Sequence, residues 1–125
     1  MRRVVSTQEA PKAVGPYSQG IVSGGLVWAA GQIALDPATG KLVEGGVEAE
    51  TRRALTNLGA VLRAAGTGFD RVLRATVYLV DMGDFEAMNL VYGEFFTGEP
   101  PARACVAVSA LPKGARVEVD AVAAV

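Results

Sequence analysis

Three residues near the end of the chain have the types and spacing that small-molecule chemistry needs. Arg103, Cys105 and Glu118 stand in two apolar segments, Pro101-Ala102-Arg103-Ala104-Cys105-Val106 and Val117-Glu118-Val119-Asp120, whose other residues are mostly Ala and Val. A fixed guanidinium beside a fixed carboxylate suits a small anionic substrate and a water molecule. Arg103 follows two prolines at the start of a strand-like run, and its planar fork can hold a carboxylate bidentately, which Lys does less well. Glu118, flanked by Val117 and Val119, is a candidate base or water-holder. The plainer alternative is structural: Arg103 paired with Glu118 itself, or Glu118 paired across strands with Arg74 or Arg116.

What the chain lacks narrows the chemistry. The 125 residues contain no His, which excludes a Ser-His-Asp triad, a Cys-His dyad and a His-ligated metal. One Cys excludes an internal disulfide and any multi-Cys metal site, and it fits a reducing, cytoplasmic compartment. Without a His to activate it, Cys105 reads as a small packing residue rather than a nucleophile. Net charge is −1 with scattered basic residues, so no basic field announces nucleic acid or an anionic membrane. Met1-Arg2-Arg3 leads into polar sequence, unlike a signal peptide, and no stretch has the length of a transmembrane helix. Carboxylates, Arg, Lys, Tyr, backbone groups and one thiol remain as tools.

The elements that position these residues follow from pattern. One domain over residues 1–125 is expected, large enough to bury a core unaided. Arg3–Ser6 reads as a short strand, and Ala10–Tyr17, with Pro11 and Gly15-Pro16, as a loop. Tyr17–Ser23 and Leu26–Ile33 read as strands joined by a two-residue turn at Gly24-Gly25. Asp36-Pro37-Ala38-Thr39-Gly40 is turn chemistry. Over Val47–Ala65, Val47, Ala54, Leu55, Leu58, Val61, Leu62 and Ala65 recur at helical spacing, with Glu48 and Glu50 assigned to the first turn and Arg63 to the last. Val72–Val80 is strand-like. A second helix, capped by Asp81 or Asp84, buries Phe85, Met88, Tyr92, Phe95 and Phe96 as core. Strands at Arg103–Ser109 and Val117–Ala123 close the chain around a Leu111-Pro112-Lys113-Gly114 connection.

The order β-β-β-α-β-α-β-β predicts a two-layer α/β domain, one mixed sheet with two helices on one face and parallel crossovers through both helices. Alternation then assigns faces. Leu73, Ala75, Val77 and Leu79, with Ala104, Val106 and Val108, and with Val117, Val119 and Ala121, belong under the helices. Arg103, Cys105 and Glu118 then share the uncovered face with Ala107, Val122 and Ala124. That mixture is too apolar for free solvent and points to self-association. Gly31-Gln32 after Ala29-Ala30 could bring backbone N–H groups close to a ligand, although glycine within a strand equally marks a bulge. Tyr17 and Asn89 are polar groups at element edges.

These residues resemble the RidA (YjgF/YER057c/UK114) family over nearly the whole chain. The Pro101–Val106 and Val117-Glu118-Val119 segments match its late signature. Ala13-Val14-Gly15-Pro16-Tyr17-Ser18-Gln19, Gly31-Gln32 and Asp84-Phe85-Glu86-Ala87-Met88-Asn89 leading to Tyr92 match in order. The resemblance implies a chorismate-mutase-like six-stranded fold assembled as a homotrimer with inter-subunit clefts. It implies a hydrolase acting on C=N bonds, turning 2-iminobutanoate and 2-iminopropanoate into 2-oxo acids and ammonia, so that these intermediates do not damage enzymes dependent on pyridoxal phosphate. Arg103 would clamp the substrate carboxylate and Glu118 would hold the attacking water. Tyr17, Gly31, Asn89 and Cys105 would line the cleft. No cofactor, metal, nucleic acid or membrane partner is implied.

Two positions depart from the family pattern. Ala30 stands where many members carry a hydroxyl residue, and Val119 where Met or Ile is usual. Two other readings compete with deamination: a non-catalytic trimer that binds small carboxylates, and the ribonuclease or translation-inhibitor role reported within the family. The second lacks a basic stripe, a His and an exposed aromatic platform.

Overall fold

Eight regular elements follow the order the pattern predicts. The computed structural model describes residues 1–125. They are β1 (Arg3–Val5), β2 (Gly20–Ser23), β3 (Leu26–Gln32), α1 (Gly46–Ala64), β4 (Val72–Leu79), α2 (Phe85–Phe95), β5 (Ala102–Ala107) and β6 (Val117–Ala124). One six-stranded sheet runs in the order β1-β2-β3-β6-β4-β5. β6 lies antiparallel to both β3 and β4, and β4 pairs with β5 in parallel. Both helix connections therefore join parallel strands. No helix is long and apolar enough to cross a membrane.

The local reasons are those read from the residues, with some corrections. Gly24 and Gly25 both take positive φ, 60° and 78°, as a primed hairpin turn requires. β2 begins at Gly20 and not at Tyr17. Gln19 stays outside the strand because its buried amide bonds the backbone of Thr7, Ala10 and Pro11 and so ties down the preceding loop. Asp81 caps the short turn that enters α2, accepting from Gly83 N at 2.8 Å. Leu55, Leu58 and Leu62 of α1 are fully buried, in one cluster with Val27, Val77, Val117 and Val119 of the sheet. Truncating any one of these leucines to Ala costs about 2–5 kcal/mol.

Glu50 lies beyond the first turn of α1, where Glu48 alone stands. It is fully buried, accepting from Arg116 N at 2.8 Å and from Arg116 Nη1 at 2.6 Å. A buried carboxylate held in this way ties α1 to the start of β6, and it takes up the Arg116 that a pair with Glu118 would need.

The face assignment fails in two places. Leu73 is exposed and Val72 buried, because the β4–β6 register slips between Val72 and Arg74 and this irregularity turns Leu73 outward. On β5 the whole alternation is reversed. Arg103 pairs with Ala75 and Cys105 with Val77, both core residues, while Ala104 and Val106 pair with Thr76 and Tyr78. Arg103 and Cys105 thus lie on the helix side, and Ala104 and Val106 on the open side. Cys105 packs against the core cluster, whereas Val106 is exposed. Glu118, paired with Tyr78, lies on the open face as expected. That face stays uncovered and partly apolar, with Trp28 52% exposed and Val4 57%.

Candidate functional site

Arg103 is held from beneath and from the side by α2. Its Cζ lies 4.7 Å from the centre of the Tyr92 ring and 5.5 Å from that of Phe85. Its Nη1 donates to Asn89 Oδ1 at 2.7 Å. Residues 85, 89 and 92 meet one guanidinium because positions four and three apart share a helix face. β5 is an edge strand, so Arg103 stands at the rim of the sheet. Cys105 lies two residues along the same face. Burial raises its thiol pKa and the Arg103 charge lowers it by less, so the thiol stays protonated near neutrality.

Glu118 is built differently. β3 and β6 lose register between Ala29 and Gln32, so a bulge occupies Ala30–Gly31. There the Glu118 carboxylate fills the space a side chain would need: a Cβ on Gly31 would run into Oε2 and stand 2.8 Å from Cδ. Both readings of Gly31, bulge and close approach, hold together. Glu118 has its pKa raised, first by burial and second by the negative charge of Asp120. Asp120 in turn accepts from Tyr78 Oη at 2.9 Å. A cavity of about 190 Å³ opens beside this carboxylate, lined by Tyr17, Gly31, Glu118, Lys12 and Lys113 among others.

The six residues expected at one site therefore fall into two groups. Arg103, Cys105 and Asn89 gather on the helix side of β5, while Glu118, Gly31 and Tyr17 gather at the open side of β3 and β6. Arg103 is level with Ala75 and Glu118 with Tyr78, and β4 separates β5 from β6. Two strand spacings of ~4.8 Å and three residues of ~3.3 Å put their α-carbons on the order of 14 Å apart, on opposite faces. An Arg103–Glu118 ion pair within one chain is thereby ruled out.

Three participants escaped the sequence reading. Tyr92 and Phe85 were assigned to core alone, although their spacing from Asn89 on one helix was a usable signal. Lys113 was read as part of a plain connection; its φ of 58° is the chain's one positive value outside glycine. No group of three or more acidic or Cys side chains is placed to hold a metal ion.

A family model described as Endoribonuclease L-PSP matches residues 7–125. The chain belongs to that family. It is the family of the YjgF and RidA proteins, as the late signature implied. Among RidA-family relatives, the Capra hircus 2-iminobutanoate/2-iminopropanoate deaminase is 50% identical over 123 residues, 98% of this chain and 90% of that protein. Protein DfrA of Myxococcus xanthus is 52% identical over 124 residues, 98% of this chain and 95% of its own length. The crystal structure of Escherichia coli TdcF with bound serine superposes with a TM-score of 0.94 at 37% identity, covering 98% of each chain.

Proposed function

We propose that this protein hydrolyses small 2-imino acids, 2-iminobutanoate and 2-iminopropanoate, to 2-oxo acids and ammonia, at a site completed between copies of the chain. The carrying observation is the split geometry. An arginine is presented at the sheet rim with most of its donors free, and a carboxylate with a raised pKa faces a small cavity on the other side of the sheet. A 2-imino acid is only a few ångströms long and cannot touch both within one protomer. A neighbour that sets its β5 rim against the β3–β6 face brings them together, and the exposed apolar residues of that face favour such contact. A homotrimer, as the family resemblance implies, closes three such contacts around one axis.

In this arrangement Arg103 binds the substrate carboxylate through a pair of parallel hydrogen bonds. The protonated imine carbon is electrophilic without further activation. Glu118 holds a water and takes its proton as the water oxygen bonds to C2. That proton passes to nitrogen, the C–N bond breaks with its electron pair leaving on ammonia, and loss of the hydroxyl proton leaves the 2-oxo acid. The reaction balances as imine plus water to oxo acid plus ammonia. Orientation and one positioned water suffice, because these imines also hydrolyse spontaneously. Cys105, a protonated thiol, acts as a wall. The net charge of −1 and the absence of His favour a small-molecule partner over RNA, and the lone free thiol fits the cytoplasm.

A binding-only role is the second reading, favoured by the serine bound in the related TdcF structure. One assay separates the two. A threonine dehydratase supplies imine, and its release as 2-oxobutanoate is followed with and without this protein. Deamination predicts acceleration that Arg103→Ala abolishes in a folded protein. A wild type that binds 2-oxobutanoate without accelerating release supports the binding role, and full activity in Arg103→Ala sinks the mechanism.

A further inference from the structure

Tyr92 is 5% exposed, and its hydroxyl is the one buried side-chain polar atom without a hydrogen-bond partner. A buried orphan hydroxyl is a standing cost that Phe at the same place would avoid. Burial raises its pKa, so the phenol is neutral, and it offers Arg103 no counter-charge. What it does offer is its ring, the nearer of the two faces beneath the guanidinium. The same ring leans on Phe96, centroid to centroid 4.5 Å, and Phe96 packs edge-on against Phe69 at 5.3 Å. This aromatic stack roots the ring in the core.

We infer that Tyr92 is a positioning residue for substrate binding: its ring fixes the plane of the Arg103 guanidinium so that the donors not used by Asn89 point outward as a carboxylate fork. The geometry divides the work. Asn89 Oδ1 occupies a donor on Nη1 and sets the rotation within the plane. The Tyr92 ring blocks one face of the plane and draws the cation onto it. The remaining in-plane donors, on Nε, Nη2 and the second hydrogen of Nη1, are left for the ligand. An arginine without this floor has several rotamers to lose on binding, so affinity falls even though the charge is still present. The inference rests on the carboxylate-clamp role proposed for Arg103, and it requires no particular fate for the imine.

The test uses the full-length protein with pyruvate as probe, alongside imine turnover. Tyr92→Leu keeps an apolar core residue and removes the ring. Tyr92→Phe keeps the ring and removes the hydroxyl. Tyr92→Leu is expected to weaken pyruvate binding and raise KM by on the order of tenfold, with kcat within about twofold, because the lost interaction serves bound substrate and transition state alike. Tyr92→Phe is expected to restore most of that affinity. Melting temperatures are measured for both, and binding is compared well below them, so a purely structural defect moves the melting point and leaves affinity alone. A folded Tyr92→Leu protein with wild-type KM and pyruvate affinity overturns the inference. So does a Tyr92→Phe protein as impaired as Tyr92→Leu, which would assign the effect to the hydroxyl. A wild type that binds pyruvate but releases no ammonia from imine defeats deamination while leaving the Tyr92 comparison intact. A wild type that does neither overturns both.

Discussion

At Arg103 the protein supports a charge; at Glu118 it disfavours one. The guanidinium rests on two aromatic faces and donates to an amide oxygen that has no charge of its own. The carboxylate is half-buried beside another carboxylate, and both influences push its pKa up. Both settings suit the roles proposed for them: a carboxylate clamp that must stay ionised and still is served by a helix–strand junction, and a base that must take a proton by an under-stabilised place beside a cavity. The contrast also explains why neither group pairs with the other. Neutralised by Glu118, Arg103 would have no free fork, and Glu118 would lose its affinity for a proton.

The largest effect that can break this contrast comes from mixing two inactive proteins. Arg103→Ala and Glu118→Gln are each expected to lose at least about a hundredfold in kcat/KM. If one chain supplies the arginine and its neighbour the carboxylate, subunit exchange between the two variants restores activity. Random assembly puts an intact pair at about a quarter of the contacts, so about a quarter of wild-type activity returns. No recovery after verified exchange would place both groups of each site on one chain. Next in size, Gly31→Ala should lose about a hundredfold while keeping its fold, because the added methyl displaces the Glu118 carboxylate. Near-normal turnover in that variant would free Glu118 from any positional demand.

Two smaller effects sharpen the electrostatics. Turnover that needs ionised Glu118 falls as pH drops through its raised pKa, so the acid limb of kcat/KM lies above that of an ordinary Glu. Asp120→Asn removes one of the two causes and should move that limb to lower pH; an unmoved limb would leave burial as the whole cause. Stability has a linked sign. With the folded pKa above the unfolded one, the native state binds more protons, and stability is lost as pH rises through that window. Glu118→Gln should flatten this decline. Smallest of all, iodoacetamide should modify Cys105 more slowly than free cysteine near about pH 8, and more slowly still in Arg103→Ala, where the charge that lowers the thiol pKa is gone.

How far the sequence carried depends on how strong the local contrast was. The stripe of Leu55, Leu58 and Leu62 and the Gly24-Gly25 turn have one physical solution each, and the structure adopts them. β6 alternates Val, Ala and acidic residues, so its faces could be assigned correctly. β5 alternates Ala, Cys and Val, which differ too little to show a face, and its one charged residue misleads. Arg103 lies on the helix side with its guanidinium over aromatic rings of α2, a tertiary contact that parity cannot register. Leu73 failed for a related reason, since it is the extra residue where β4 slips against β6, and that slip cannot be seen along β4 alone. Glu118 and Gly31 were each legible, but their contact depends on the bulge between β3 and β6.

Arg103 and Glu118 point away from each other through the thickness of one sheet. If the site is completed between copies, as proposed, a chain alone carries a grip without a blade and a blade without a grip. Activity per chain would then be a function of how much protein is present: constant while copies stay associated, and falling steeply on dilution once they part. Synthesis of a few more chains would raise the output of those already made, and an excess of a variant with only one damaged half would poison its neighbours in proportion to the contacts it occupies.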